Sequence, residues 1–299
     1  ITNGSQQCLD LTGKVFIDKD DAIAIERPGY LGAIQAFSLY EPEFFPITLH
    51  DDGPDTDELK RITDAENPKL FYGIPNSQNP SGISYSEAKR KEIAEILKEK
   101  DTVFIEDDAY GELSFDKITP APVKKYLPDM GVITGSFSKI VSPGMRMGWI
   151  YAPEEIIDKI STAKQASDLH SNYLSQRIIA EYLRTNDIDA HIQKICSEYK
   201  SRCSLMTKLM DETFPQSVSH TNPNGGMFVW ITLPKGFSSQ ELFEKAMEKN
   251  VAVLPGSPFY VDGGGENTAR INFSNSDEDN IITGISVLAK IFCDWEKKA

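Results

Sequence analysis

The amino-acid sequence predicts an α/β fold, a mostly parallel central sheet flanked by helices, followed by a smaller C-terminal α+β unit. Three observations carry this. Short apolar runs alternate with amphipathic stretches through residues 1–150, the pattern of parallel strands joined by crossover helices. The polar, Gly-rich and Pro-rich segments fall at the carboxyl ends of those runs, where open parallel sheets bind ligands. Residues 187–212 contain neither Gly nor Pro and read as one long helix leading into the second unit.

The elements follow in order. SQQCLDLTGKVF has apolar residues at helical spacing, and AIAIE and FFPITL are short apolar strands. TDELKRIT is a short helix opened by a cap-and-acid pattern. KLFYGIP is a strand, SEAKRKEIAEILKEK an amphipathic helix, and TVFIED, VITGSF and MGWIYA are strands. Residues 153–212 are mostly helical. GMFVWITL, VAVLP and ARINFS read as strands around a helix at SSQELFEKAMEKN, and a closing helix covers 277–294. The expected division is a large domain over 1–185, shortened at its start, and a small domain over 186–299.

Composition excludes several classes. A net charge of −14 and a pI near 4.8 oppose a nucleic-acid partner, whose phosphates call for a basic surface. No run of about 18 apolar residues predicts a membrane span. The opening ITNGSQQCLDL lacks the basic and apolar regions of a signal peptide, and without an initiator Met it reads as an internal position. Cys8, Cys196, Cys203 and Cys293 form no CxxC pair and read as reduced thiols of a cytoplasmic protein, buried or half-buried. His50, His170, His191 and His220 show no metal-ligand spacing, so no metal is expected.

Chemistry-bearing residues cluster at the strand ends. Gly4-Ser5-Gln6 opens a helix, whose unpaired N–H groups suit an anion; a plain N-cap at Ser5 is the alternative. Gly135-Ser136-Phe137-Ser138-Lys139 ends a strand, and the Pro143-Gly144 turn can fold Arg146 back toward the serines. Two hydroxyls and a guanidinium suit one phosphate, and a lysine beside them suits a nucleophile. Asp107, in the acidic run Glu106-Asp107-Asp108, is either a solvated loop residue or a carboxylate facing a cationic partner. Tyr110 and Asn79 can turn polar groups into the same cleft, and Tyr30 can offer a ring face. Arg270 lies amid apolar alternation, either at an edge or gripping a carboxylate.

In their order along the chain, NGSQQ, PNSQNPSG, EDDAY, SFSKIVSPGMRMGW, NGGMFVW and ARINFS resemble the class I/II aminotransferases, the fold type I enzymes of pyridoxal 5'-phosphate (PLP). GSQQCLDLTGKVF, KQASDLHSNYLSQ and PGSPFYVDGGGENTARINFS resemble the branch acting on 2-aminoadipate, aromatic residues and kynurenine. The resemblance implies that Lys139 holds PLP covalently and later moves a proton at the substrate Cα. It implies Asp107 at the ring nitrogen, Tyr110 and Asn79 at the ring hydroxyl, and Tyr30 stacked on the ring. Ser5, Gln6, Ser136, Ser138 and Arg146 would bind the phosphate, and Arg270 with Asn79 the substrate. It further implies amino transfer from such an amino acid to a 2-oxo acid such as 2-oxoglutarate, ping-pong kinetics and a homodimer. In this family a preceding segment completes the small domain and reaches the partner's site, and the expectation is that these 299 residues lack it. The alternatives are the aminotransferase-like domain of a transcription regulator and a shortened chain with impaired activity.

Overall fold

The computed structural model describes residues 1–117 and 119–297. It opens with α1 (Ser5–Phe16), β1 (Ala22–Arg27), α2 (Leu31–Ser38), β2 (Glu43–His50), β3 (Gly53–Pro54), α3 (Thr56–Glu66) and β4 (Leu70–Gly73). Then come α4 (Glu87–Lys98), β5 (Val103–Asp108), β6 (Gly131–Ser136), β7 (Gly148–Tyr151), α5 (Glu154–Asp168), α6 (Tyr173–Thr185) and the long α7 (Ile188–Thr213). The chain closes with β8 (Ser219–His220), β9 (Phe228–Thr232), α8 (Ser239–Met247), β10 (Leu254–Pro255), β11 (Thr268–Asn272) and α9 (Glu278–Glu296).

A seven-stranded sheet runs in the order β3-β2-β1-β4-β5-β6-β7. Its five inner strands are mutually parallel, and β3 and β7 close the edges antiparallel. This is the mostly parallel α/β sheet that the alternation of strands and helices predicts. Both faces are covered, so the strands are buried throughout and alternate residues enter different cores. Ile23, Ile25, Leu70, Tyr72, Val103 and Ile105 pack on one side with Leu9 of α1 and Phe37 of α2. Ala24, Phe71 and Phe104 pack on the other with Leu59 of α3 and Ile93 and Leu97 of α4. A separate four-stranded sheet, β10-β11-β9-β8, forms a third core with α7, α8 and α9 through Met206, Val229, Phe273 and Phe292.

Several local expectations need correction. α2 escapes the sequence pattern, because eight residues carry barely two turns of periodicity; Ala33 and Phe37 fix it against the sheet. The stretch after 153 is mostly helical as expected, in three helices; Leu169, with φ of 63°, ends α5 before Asn172 caps α6. VAVLP pairs with the sheet over Leu254–Pro255 alone. Cys8, Cys196 and Cys203 are buried free thiols, as expected, but Cys293 is exposed. No helix of the described residues is long and apolar enough to cross a membrane, and no group of three or more His, Cys, Asp or Glu among them is placed to hold a metal ion.

The start of α1 is pinned to this frame. Thr2 exchanges two backbone hydrogen bonds with Gly148 of β7, at 2.9 and 3.0 Å. A Cβ at Gly148 would stand 2.7 Å from the carbonyl carbon of Gly4 and 2.9 Å from the amide of Ser5. Glycine therefore lets the helix start lie directly against the end of the sheet.

Candidate active site

A cavity of about 220 Å³ opens at the carboxyl ends of β1, β4, β5 and β6. Its lining contains Ser5, Gln6, Tyr30, Asn79, Asp107, Tyr110, Ser136, Ser138, Lys139 and Arg146. Ten of the eleven residues singled out from the sequence thus meet in one place. The eleventh, Arg270, comes from β11 of the second sheet, and its Nη1 donates to Asn79 Oδ1 at 2.7 Å.

One end of the cavity is rich in donors. The N-cap of α1 is Gly4, with no side-chain cap, and not Ser5 as one sequence reading held. Ser5 is the first helical residue, so its amide and hydroxyl stay directed at the helix end. Ser136 and Ser138 flank the turn after β6, where the Ser138 amide donates to Ser136 Oγ at 3.1 Å. Arg146 adopts a left-handed backbone, φ 51°, after the turn at Pro143–Met145. Its guanidinium makes two long bonds, 3.5 Å to Ser138 Oγ and 3.4 Å to the Asn3 carbonyl. Gly4 has φ +86°, and a Cβ there would lie 2.5 Å from Arg146 Nη2. Gln6 lines the cavity, but its side-chain amide is turned to the Gly32 carbonyl at 2.7 Å.

The other end is acidic. Asp107 is buried, and one carboxylate oxygen accepts from the Tyr72 hydroxyl at 2.8 Å, the other from Thr134 at 3.3 Å. Burial pushes its carboxyl up to about 6, against the pull of those two hydrogen bonds. No Lys, Arg or His among the described residues forms an ion pair with it. Its neighbours in the acidic run are not a solvated loop either. Glu106 faces the opposite core and lies 3.7 Å from the buried Arg90, and Asp108 accepts from Asn76 at 2.8 Å.

Between the two ends stand Lys139, Tyr110 and Tyr30. Lys139 is half-buried, and its ammonium is driven below the usual lysine range by burial, then by Arg146 and Arg270. The Tyr110 hydroxyl accepts from Asn79 Nδ2 at 3.4 Å, and burial pushes it above the usual phenol range. Tyr30 caps α2 and is half-buried. Arg270 lies over the Phe228 ring, 4.1 Å from its centroid.

Sequence reasoning missed Tyr72 and Thr134. The register pairs Asp107 with Thr134, and the two-residue repeat puts Thr134 and Ser136 on one face, which was the available signal.

This chain belongs to the aminotransferases of class I and II, whose family model matches residues 1–288. It is similar to the 2-aminoadipate transaminase of Thermus thermophilus, 39% identical over 97% of this chain and 74% of that protein. Aromatic-amino-acid aminotransferase 1 of Thermococcus litoralis is 42% identical over 99% of this chain and 73% of its own length. The crystal structure of LysN, the α-aminoadipate aminotransferase of T. thermophilus, superposes with a TM-score of 0.96 at 37% identity, covering 100% of this chain and 77% of that one. That enzyme was solved with N-(5'-phosphopyridoxyl)-L-leucine. The protein is an aminotransferase of the PLP-dependent fold type I, and its cofactor is pyridoxal 5'-phosphate.

The cavity fits that group. A phosphate ester matches the hydroxyls, helix amides and guanidinium at one end. A protonated ring nitrogen matches the cation-free Asp107 at the other.

Two outcomes follow. In Gly4→Ala the added carbon crowds Arg146 and a left-handed φ is imposed on alanine; we expect PLP to bind at least tenfold more weakly, read by cofactor titration. Asp107 carries the second. Its folded pKa lies above the unfolded value, so its contribution to stability is lost as the pH rises from about 4 to about 6 and stays lost above that. Asp107→Asn should therefore stabilise the cofactor-free protein by roughly 3 kcal/mol at pH 8 and by little at about pH 3, while losing activity. Urea denaturation at the two pH values checks the sign.

Proposed function

We propose that this protein transfers the amino group of a 2-aminoadipate, aromatic, kynurenine or leucine-type amino acid to a 2-oxo acid such as 2-oxoglutarate. The observation carrying the site assignment is Arg270 joined to Asn79 beside the cavity that contains Lys139 and Asp107. The relatives named for 2-aminoadipate and aromatic substrates, and the leucine adduct in the LysN structure, support the substrate range.

When bound, PLP supplies an electron sink for the bond broken at the substrate Cα. Ser5, Gln6, Ser136, Ser138 and Arg146 would hold its phosphate, Gln6 through its main chain. Asp107 would keep a proton on its ring nitrogen, with Tyr72 and Thr134 fixing the carboxylate. Tyr110 and Asn79 would donate to the ring hydroxyl oxygen, and Tyr30 would cover the ring. Lys139, whose lowered pKa favours the neutral amine, would hold the cofactor covalently and then carry the proton taken from Cα. Arg270 would clasp the substrate carboxylate, its position set by Asn79 and the Phe228 ring. One site serves both half-reactions, which gives ping-pong kinetics.

We also infer a cytoplasmic homodimer working in amino acid biosynthesis. Leu169, Tyr173 and Leu174, at 75%, 67% and 68% exposure, support association through the start of α6. A large domain over 1–185 and a small one over 186–299 would place Arg270 across the cleft from Lys139.

Lys139→Ala should lose the borohydride-trappable cofactor absorbance; covalent trapping in the variant would remove the lysine assignment. Arg270→Ala should raise KM for the amino donor by roughly tenfold or more while PLP stays bound. An unchanged KM would remove the carboxylate role.

A further inference from the structure

Below the loop that carries Asn79 lies a buried carboxyl that the reaction scheme does not use. Glu26, at the end of β1, is 1% exposed and points away from the cavity into the opposite core. Three donors converge on it from the loop between β4 and α4. The Tyr85 hydroxyl and the Ile74 amide both donate to Oε1, the latter at 3.1 Å, and Gln78 Nε2 donates to Oε2 at 3.1 Å. Gln78 is fully buried and has a partner for each polar atom. Its amide nitrogen also donates to the Pro28 carbonyl at 2.8 Å. Its oxygen accepts from the Ser81 amide at 2.7 Å and from Ser81 Oγ at 2.6 Å.

The consequence is geometric. Asn79 sits between Gln78, which Glu26 holds, and Ser81, which donates twice to the Gln78 amide oxygen. Its amide then faces outward, to Arg270 at 2.7 Å and Tyr110 at 3.4 Å. Ile74 donates to Glu26 as well, and the Pro28 carbonyl, two residues before Tyr30, accepts from Gln78.

We propose that Glu26, acting through Gln78, is a positioning residue that sets the Asn79 amide and thereby the Arg270 guanidinium for the substrate carboxylate. This rests on the reading of Arg270 given above. Every contact to Glu26 is a donor, so the ionised carboxylate is the form that the network holds. The two oxygens are also chemically separable. An amide at position 26 can still accept from Tyr85 and Ile74 through its oxygen, but it turns an N–H₂ toward the N–H₂ of Gln78. Flipping Gln78 to relieve this would strip Ser81 of its acceptor.

The test is steady-state kinetics of the PLP-loaded enzyme with a 2-aminoadipate or aromatic donor. Glu26→Gln should raise KM for the donor about tenfold, with kcat within about twofold and PLP still bound at full occupancy. The exchanged pair Glu26→Gln with Gln78→Glu restores the donor–acceptor match between positions 26 and 78 but sets a carboxylate oxygen against the Pro28 carbonyl, so KM should recover only in part. The carboxylate then at position 78 would accept from the amide at position 26 on one oxygen and from Ser81 on the other. An unchanged KM in Glu26→Gln overturns the proposal. So does a loss of kcat and of cofactor binding together with the raised KM in Glu26→Gln. If Glu26→Gln does not fold, Ser81→Ala decides: a raised KM at constant kcat supports the proposal, and an unchanged KM overturns it. Arg270→Ala separates the two levels. If it leaves KM unchanged, the carboxylate reading fails; if it raises KM while Glu26→Gln does not, the Glu26 inference fails alone.

Discussion

The site is organised around a carboxylate buried without a cation. Asp107 ends a strand in the interior of the sheet, where water cannot solvate it, and its partners are the hydroxyls of Tyr72 and Thr134. Both come from neighbouring strands on the same face, fixed by parallel register. A lysine or arginine there would neutralise the acid permanently. Hydroxyls hold its orientation and leave its charge available to whatever enters the cavity. Parallel strands about 4.8 Å apart also bring their carboxyl ends side by side. Residues following four strands therefore converge on one space without any long loop having to reach it.

That arrangement lowers the stability of the empty fold. Burial pushes Glu26 and Glu106 up to about 7 and Asp107 up to about 6. All three folded values exceed the unfolded ones, so their contribution is least unfavourable in acid and most unfavourable above pH 7. The three acids serve different ends. Asp107 faces the cavity. Glu106 lies beside Arg90, whose other bonds hold the Tyr85 and Pro75 carbonyls and the Asn76 side chain. Glu26 holds Gln78. Two of the three thus stabilise the loop between β4 and α4, which suits a loop that must present one amide at a fixed place.

The sequence revealed those parts of the site whose signal is local. Ser136, Ser138, Lys139 and Arg146 stand within one strand end and one turn, and proline and glycine marked the turn. Tyr72 and Glu26 were illegible for a physical reason. Strands buried on both faces read as continuous apolar runs, so sequence period does not say which face a residue takes. Tyr72 passes for core and Glu26 for a strand-end charge until register is known. The acidic run at 106–108 left two readings open, a solvated loop or a strand-end carboxylate with a partner, and alternation decides it by sending Glu106 and Asp107 to opposite faces. α2 failed from brevity, and the Ser5 cap because a glycine with positive φ took its place.

Asn79 shows why one amide is needed where the two sheets meet. Arg270 arrives from the second sheet with donors alone, and Tyr110 belongs to the first. A group between them has to accept from the guanidinium and donate to the phenol oxygen at once. Aspartate lacks the donor and lysine lacks the acceptor, whereas asparagine has both, and its two partners fix which way it faces. On the proposed reading, that orientation ties the residue gripping the substrate to the residue touching the cofactor ring. The buried bonds beneath the loop hold this amide still, and they explain why so much polar structure is placed where no substrate reaches.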